Sequence, residues 1–137
     1  MSARSKARKR ALDVLFESDV RGTSALDSLT ALEGRADFEI NPYTAEIVNG
    51  VVDNRERIDE LMETYSSGWS VARMPRVDRN VLRIGTWELI WADDVPDGVA
   101  ISEAVELASD LSTDDSGRFV NGLLSKIAEV KEHIVID

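Results

Sequence analysis

Apolar residues recur at helical spacing along most of the chain. Positions three, four and seven apart are apolar in several windows, and the strict alternation of a half-buried strand nowhere persists. This pattern predicts an all-α protein with six to seven helices, packed as two helical halves that form a single domain over residues 1–137. The predicted helices cover residues 3–21, 23–33, 42–66, 77–92, 100–111 and 115–133, with loops at 34–41, at 67–76 and around Pro96.

The helix predicted over residues 77–92 is apolar around much of its circumference. Its apolar side chains are Val77, Val81, Leu82, Ile84, Leu89, Ile90 and Trp91. A helix that is apolar nearly all round is typical of the middle of a bundle, where neighbouring helices cover every side. We therefore expect this helix to be central.

Asn-Gly pairs occur inside two of the predicted helices, at residues 49–50 and 121–122. A glycine inside a helix costs about 1 kcal/mol of helix propensity relative to alanine. We expect close approach of a neighbouring helix to offset that cost at both Gly50 and Gly122.

The composition is that of a globular protein, with 43% hydrophobic and 31% charged residues. No apolar run approaches the length of about 18–20 residues that a membrane span needs. The apolar stretch after the basic N-terminus is interrupted by Asp13, which argues against a secretory signal peptide. The absence of cysteine excludes disulfides and thiolate metal sites. We expect a cytoplasmic protein without a membrane partner.

Catalytic signatures are absent from the sequence. It contains no phosphate-binding glycine loop, no nucleophile elbow and no paired histidines for zinc. The single histidine, His133, is expected on the surface, and the acidic pairs at 93–94 and 114–115 suit helix ends. The sequence therefore predicts a protein that is not an enzyme and that needs no metal or cofactor.

The charges are distributed unevenly. Sixteen lysines and arginines against 26 aspartates and glutamates give a formal net charge of −10. The first ten residues nevertheless hold five bases and no acid, so the remaining 11 bases and 26 acids sum to −15. Bases at a helix N-terminus oppose the helix dipole, so local stability does not explain the cluster. A polyanion that binds this end does explain it.

The basic residues divide between two sides of the first helix. At 100° per residue, Arg4 and Arg8 lie on the same side as the core residue Leu15. We expect the helix to project past the body of the protein, with these two arginines over the groove beneath it. RNA suits this segment better than duplex DNA, because arginine-rich segments often become ordered on RNA. A frayed, solvated tail is the alternative.

Two segments of the second half resemble the bacterial NusB family of transcription antitermination factors. They are VDRNVLRIGTWEL at 77–89 and DVPDGVAISEAVELASDLSTDDSGRFVNGLLSKIA at 94–128. The arginine-rich N-terminus resembles the family as well, whereas residues 22–45 match only loosely. The resemblance implies binding to the single-stranded boxA element of nascent rRNA leader transcripts. It also implies a heterodimer with the small-subunit ribosomal protein NusE and a place in the antitermination complex on RNA polymerase.

The resemblance also implies which residues bind. The RNA-binding residues would be Arg4, Lys6, Arg8, Lys9, Arg10, Arg118 and Phe119, and the partner-binding residues Phe16, Asp78 and Asp115. Ser5 stands where the family commonly has arginine, and Lys9 and Arg10 are expected to compensate. Phe16 lacks the hydroxyl of the usual tyrosine, and Asp78 is one methylene shorter than the usual glutamate.

The aromatic residues support these roles to different degrees. Phe119 lies at the edge of its helical stripe beside Arg118, where it suits stacking on an unpaired base. Peripheral core packing of Phe119 is the alternative. Trp69, Trp87 and Trp91 are all expected mainly in the core, and Trp69, in its loop, is expected to be the most exposed of the three.

Two other functions remain open from the sequence. The helical surface could self-associate as a protein-interaction module, with the basic end masked in a homodimer. The chain could also be a NusB-like domain related to rRNA methyltransferases. No methyltransferase sequence follows, and no glycine-rich loop is present to bind a methyl donor, so we expect the free-standing factor.

Overall fold

The computed structural model describes residues 2–35, 37 and 39–136. Within these residues the chain forms seven α-helices, two short 3-10 turns and no strand. The helices are α1 (Ala3–Arg21), α2 (Ala25–Arg35), α3 (Pro42–Asp53), α4 (Arg55–Tyr65), α5 (Arg76–Trp91), α6 (Asp97–Leu111) and α7 (Asp114–Val130), with 3-10 turns at Val71–Arg73 and Lys131–His133. The prediction of an all-α protein is confirmed.

The helix ends follow from local sequence. Gly22 ends α1 in the left-handed conformation, at φ +67°, which glycine adopts without steric cost. The side chain of Asn41 accepts a hydrogen bond from the Tyr43 amide at 2.9 Å, and Pro42 is the first residue of α3. Thr113 caps α7 in the same way, by accepting from the Ser116 amide at 3.0 Å.

The central position of α5 is confirmed. α5 packs against α1, α3, α4, α6 and α7. Val81, Leu82 and Ile84 lie at the centre of a core that runs from α1 to α7. The same helix also buries polar side chains, which the apolar pattern did not reveal: Asp78, Asn80, Arg83, Thr86 and Glu88.

The prediction of one helix over residues 42–66 is wrong, because Asn54 interrupts the helix and separates α3 from α4. The Asn54 side chain amide donates to the Gly50 carbonyl at 2.8 Å, and its backbone N–H points to the same carbonyl at 3.2 Å. Its own carbonyl then accepts from the Ile58 amide and starts α4. An asparagine side chain that competes for backbone groups in this way ends a helix without glycine or proline.

Three other helices have bounds that differ slightly from the prediction. α2 covers Ala25–Arg35 instead of residues 23–33, so it extends into the loop predicted at 34–41. α6 begins at Asp97 rather than near residue 100, because the Pro96 carbonyl accepts from the amides of Val99 and Ala100 at 3.0 Å. α7 ends at Val130, and a 3-10 turn covers the last residues of the predicted helix.

The expectation for the two helical glycines is confirmed at one position only. A Cβ on Gly50 would lie 2.0 Å from the indole nitrogen of Trp87, so α3 and α5 approach closely there. A Cβ on Gly122 would meet no atom within 4 Å, and this residue is exposed. Helix packing therefore explains Gly50 but leaves Gly122 unexplained. None of the helices in the described part of the chain is both long and apolar enough to span a membrane.

Candidate nucleic-acid interface

Arg8 faces the interior of the protein. Its side chain is 3% exposed, and its Nε lies 3.0 Å from each carboxylate oxygen of Glu88 on α5. Its Nη1 also lies 3.3 Å from Glu103 on α6. The prediction that Arg8 projects past the body of the protein is therefore wrong. The core continues under this turn of α1. Arg8 can be buried there because Glu88 supplies a buried counter-charge.

Tyr43 completes the buried cluster by donating its hydroxyl to Glu88. Burial and this hydrogen bond raise the pKa of the Tyr43 hydroxyl above its ordinary value. Burial lowers the pKa of Arg8, but the hydrogen bond and charge of Glu88 outweigh that effect and leave the pKa raised. Arg8 therefore carries its charge inside the protein and fixes α1 against α5.

Arg4 lies one turn nearer the N-terminus and occupies an exposed pocket. Its guanidinium donates to Asp94 at 2.8 Å and lies 4.1 Å from the centre of the Tyr43 ring. The hydrogen bond to Asp94 raises the pKa of Arg4 and lowers that of Asp94. The Arg4 side chain is still 43% exposed, and surface pairs of this kind are weak. Arg4 can therefore exchange Asp94 for a phosphate.

Lys6, Lys9 and Arg10 lie on the outer side of α1. Lys6 is exposed, and Lys9 and Arg10 are half-buried around a shallow depression of ≈ 310 Å³. Lys9 pairs with Asp13 at 2.7 Å, one helical turn away. The other lining residues of the depression are basic. This outer face is the cationic surface at the N-terminus that α1 presents to solvent.

A second surface lies at the start of α7. The rings of Phe119 and Trp69 have centroids 5.9 Å apart and are tilted by 45°. Phe119 is half-buried against the core, and Trp69 is 54% exposed. The expectation that Trp69 belongs mainly to the core is therefore wrong, although it is the most exposed of the three tryptophans, as expected. Arg118 is largely exposed and pairs with Asp115 at 2.8 Å. Phe119 is thus both peripheral core and one wall of an open surface.

The two rings belong to a groove of ≈ 490 Å³ between the end of α4 and the face of α7. The groove is lined by Tyr65, Ser66, Ser67, Trp69, Arg118, Phe119, Gly122, Leu123 and Lys126. Among the described residues no carboxylate belongs to this lining, although the protein carries a net charge of −10. We call it the α4–α7 groove. Its aromatic and basic side chains are suited to a base and a phosphate.

Asp78 lies inside the protein, although the sequence suggested a contact with a partner. It is 3% exposed, and its Oδ2 accepts from the Ser116 hydroxyl at 3.0 Å. Its Oδ1 is buried without a hydrogen-bond partner. Burial raises the pKa of Asp78 despite the hydrogen bonds from Ser116 and Ser112. Asp78 therefore joins the start of α5 to the first turn of α7.

Phe16 is exposed on α1, close in sequence to a cluster of ion pairs that sequence reasoning missed. Phe16 is 36% and Val20 49% exposed. Between them, Asp19 accepts from Arg79 at 2.5–2.6 Å. Burial raises the pKa of Asp19, but hydrogen bonds from Arg79 and Asn80 outweigh it and hold the pKa below its ordinary value.

This cluster continues into a groove of ≈ 560 Å³ between α1, α4 and α5. Arg83, 3% exposed, donates to Asp59 at 2.9 Å, and the acids Glu56, Glu60 and Glu63 line the same groove. A signal for the cluster was available, because Asp19 follows Leu15 by four residues on the core side of α1.

His133 is exposed, as expected. No group of three or more histidine, cysteine, aspartate or glutamate side chains is arranged to hold a metal in the part of the chain that the structure describes.

Comparison with known proteins identifies the family. The profile of the NusB family matches residues 5–129. The chain is 60% identical to the transcription antitermination protein NusB of Pseudarthrobacter chlorophenolicus over 135 residues, which cover 98% of this chain and 99% of that protein. It is 34% identical to T. maritima NusB, with a TM-score of 0.84 and coverage of 94% of this chain and 92% of that one.

A further related structure contains RNA. A chain in the crystal structure of antitermination factors NusB and NusE in complex with double-stranded RNA is 29% identical, with a TM-score of 0.84. The match covers 95% of this chain and 98% of that one. Sequence and fold agree over nearly the whole length, and the chain therefore belongs to the NusB family.

Proposed function

We propose that this protein is a transcription antitermination factor that binds the single-stranded boxA element of nascent rRNA leader transcripts together with the ribosomal protein NusE. In this role it acts as a cytoplasmic binding protein of the antitermination complex on RNA polymerase, not as an enzyme. Membership of the NusB family supports the proposal, as does the likeness to NusB in complex with NusE and RNA.

One observation carries the RNA-binding part of the proposal. An acidic protein keeps two basic surfaces, the outer face of α1 and the α4–α7 groove, and no described residue that lines the groove is acidic. Such surfaces attract phosphates, while the acidic remainder repels RNA elsewhere. The aromatic rings in the groove add stacking, which tolerates different bases.

Arg4 and the first turn of α7 lie at opposite ends of α5. Arg4 contacts Asp94, which follows the last residue of α5 closely, whereas Asp78 at the first turn of α5 contacts Ser116 on α7. A helix of 16 residues is about 24 Å long. At 3.4 Å per nucleotide of a stacked strand, an RNA that reaches from Arg4 to the first turn of α7 needs about seven nucleotides.

The residues divide into contacts and supports. Arg4, Lys6, Lys9 and Arg10 contact phosphates, and Arg118 and Phe119 contact the RNA near the start of α7. Arg8 supports them from inside by fixing α1 to Glu88. Asp78 likewise acts through Ser116 rather than by touching the partner.

The proposed binding surface for NusE lies on the C-terminal part of α1. Phe16 and Val20 offer exposed apolar area, and the groove beside Asp19 adds an excess of acids. A basic ribosomal protein is complementary to such a face, which speeds association and fixes orientation. Asp115, largely exposed at the start of α7, would add a further acidic contact.

The RNA part is tested by binding to a single-stranded boxA-containing leader RNA, with a scrambled strand and a boxA duplex as controls at one fixed salt concentration. We expect tighter binding to the boxA strand, and a further gain when NusE is present. Equal affinity for the boxA and scrambled strands in both conditions would refute the proposal. Sedimentation of the same mixtures tests the self-association alternative: a homodimer that RNA never dissociates would favour it.

The partner part is tested with two matched alanine variants. Phe16 and Leu26 are both 36% exposed, but only Phe16 belongs to the proposed partner face. Phe16→Ala should weaken NusE binding and leave RNA binding without NusE unchanged, whereas Leu26→Ala should change neither. Equal losses in the two variants would contradict the proposed face.

A further inference from the structure

Gly122 lowers the helix propensity of α7, and no contact in the isolated protein compensates for that loss. It lies in the interior of α7, where glycine is disfavoured relative to alanine. A Cβ at this position would meet no atom within 4 Å, so no packing requirement of the chain itself excludes alanine. Its backbone conformation is helical and imposes no such requirement either. An unoccupied space above a helix backbone suits a ligand that approaches the main chain closely.

Trp69 lies beside the same space and is also left partly uncovered. It is 54% exposed in a protein whose other two tryptophans are packed against the core. The loop that carries it is held in place, because the Ser66 hydroxyl donates to the Trp69 carbonyl at 2.6 Å. The Val71 amide fixes the far side of the loop by donating to Glu63 at 3.0 Å. Trp69 is therefore presented to solvent by an ordered turn.

One face of α7 carries, at helical spacing, the aromatic Phe119, then Gly122 without a side chain, then the basic Lys126. Lys126 is exposed. In the part of the chain that the structure describes, the lining contains two basic residues and no carboxylate. Such a lining repels a basic protein and attracts a phosphate.

We propose that the α4–α7 groove binds an unpaired nucleotide of the RNA strand, with its base on Trp69 and its sugar-phosphate backbone across Gly122 toward Lys126. This inference rests on the proposed RNA binding and extends it beyond Phe119 to a further binding position. The contact is one of stacking and charge, so it accepts different bases and lengthens the bound strand rather than selecting its sequence.

The decisive variant is Gly122→Ala, because folding and binding should respond in opposite directions. The added methyl group raises helix propensity without a clash, so the thermal midpoint should rise by about 3–5 °C. The same methyl group occupies the space of the RNA backbone, so affinity for the single-stranded leader RNA should fall severalfold. Gly34→Ala in α2 is the matched control, since a Cβ there also meets nothing within 4 Å. It should raise the midpoint and leave RNA affinity unchanged.

Tryptophan fluorescence gives a second readout of the same site. The leader RNA, or oligouridylate as a probe without boxA, should quench the emission of the wild type. Trp69→Phe keeps a ring beside Phe119 and should lose that quenching, while Trp87 and Trp91 continue to emit. Trp69→Ala should weaken RNA binding by about 5- to 150-fold, the range for loss of one stacked base.

The outcomes separate this inference from the proposed function. If Lys6→Gln/Arg10→Gln weakens RNA binding but Gly122→Ala does not, and quenching persists in Trp69→Phe, the groove inference is wrong and the RNA-binding proposal stands. If neither Lys6→Gln/Arg10→Gln nor Gly122→Ala changes RNA binding, the groove inference and the RNA-binding proposal are both wrong. If Gly122→Ala weakens NusE binding alone, the groove is a protein-docking surface and the nucleotide inference is overturned.

Discussion

Removal of the Arg8 guanidinium should destabilise the fold strongly. In Arg8→Met, the Glu88 carboxylate, 1% exposed, keeps the Tyr43 hydroxyl but loses three contacts of 3.0 Å to the guanidinium. Loss of one partner of a buried ion pair typically costs about 3–5 kcal/mol, because the other charge stays buried. Since a domain is stable by only about 5–15 kcal/mol, this is a large share of the total.

The loss of stability in Arg8→Met should come from the unpaired Glu88 charge and not from the smaller volume of methionine. Replacement of both partners by methionine removes that charge and leaves the Tyr43 hydroxyl without its acceptor, which costs about 1–3 kcal/mol. Arg8→Met/Glu88→Met should therefore be more stable than Arg8→Met, and the addition of Tyr43→Phe should recover part of the remainder. Lys9→Met is the surface control, because its pair with Asp13 is an exposed i,i+4 pair worth about 0.3–0.5 kcal/mol.

Urea unfolding of the four variants, followed by circular dichroism with the denaturant slope held as a check, measures these differences. The buried-anchor assignment of Arg8 would be refuted if Arg8→Met lost less than about 1 kcal/mol, or if the double variant were no more stable than the single one.

Three further predictions concern other parts of the protein. Gly50→Ala places a Cβ 2.0 Å from the Trp87 ring, so thermal unfolding should show a loss of about 1–3 kcal/mol despite the gain in helix propensity. Asp78 has a raised pKa in the folded protein, so between the ordinary value of 3.8 and the raised pKa the folded state binds more protons than the unfolded state. The free energy of unfolding should therefore fall as pH rises through that window. Asp78→Asn should flatten this dependence. Unfolding at pH 4–7 checks that sign, and a wild type that loses stability relative to the variant as pH falls would contradict it. Asp94→Asn releases Arg4 from its surface pair, so it should leave unfolding unchanged and tighten RNA binding by about two- to fivefold in a titration; weaker binding would show that Asp94 positions Arg4 instead of competing for it.

The helical pattern predicted the architecture well because helix periodicity is a local property. The stripe of apolar residues identified α1, α5 and α7, and the apolar circumference of α5 identified its central place. The break at Asn54 was not predicted, since it depends on a single side chain that hydrogen-bonds to the Gly50 carbonyl. Apolar spacing continues across that break and does not report it.

The charged residues were harder to place. Spacing correctly put Arg8 on the core side of α1, but its partner Glu88 lies 80 residues away on a helix that appeared apolar all round. Periodicity assigns a residue to a face without saying what lies opposite that face. The burial of Asp78 was not predicted for the same reason, because its contact with Ser116 joins two helices that are distant in the sequence.

The salt dependence of RNA binding tests the central claim most directly, which is that the outer face of α1 holds phosphates. Lys6→Gln/Arg10→Gln should lower the slope of log K against log salt by about 1–1.5 units, since each phosphate contact on a single strand contributes about 0.7. Arg21→Gln/Arg35→Gln removes the same charge from the last turns of α1 and α2 and should leave the slope near that of the wild type. Equal slopes in both double variants would contradict the account.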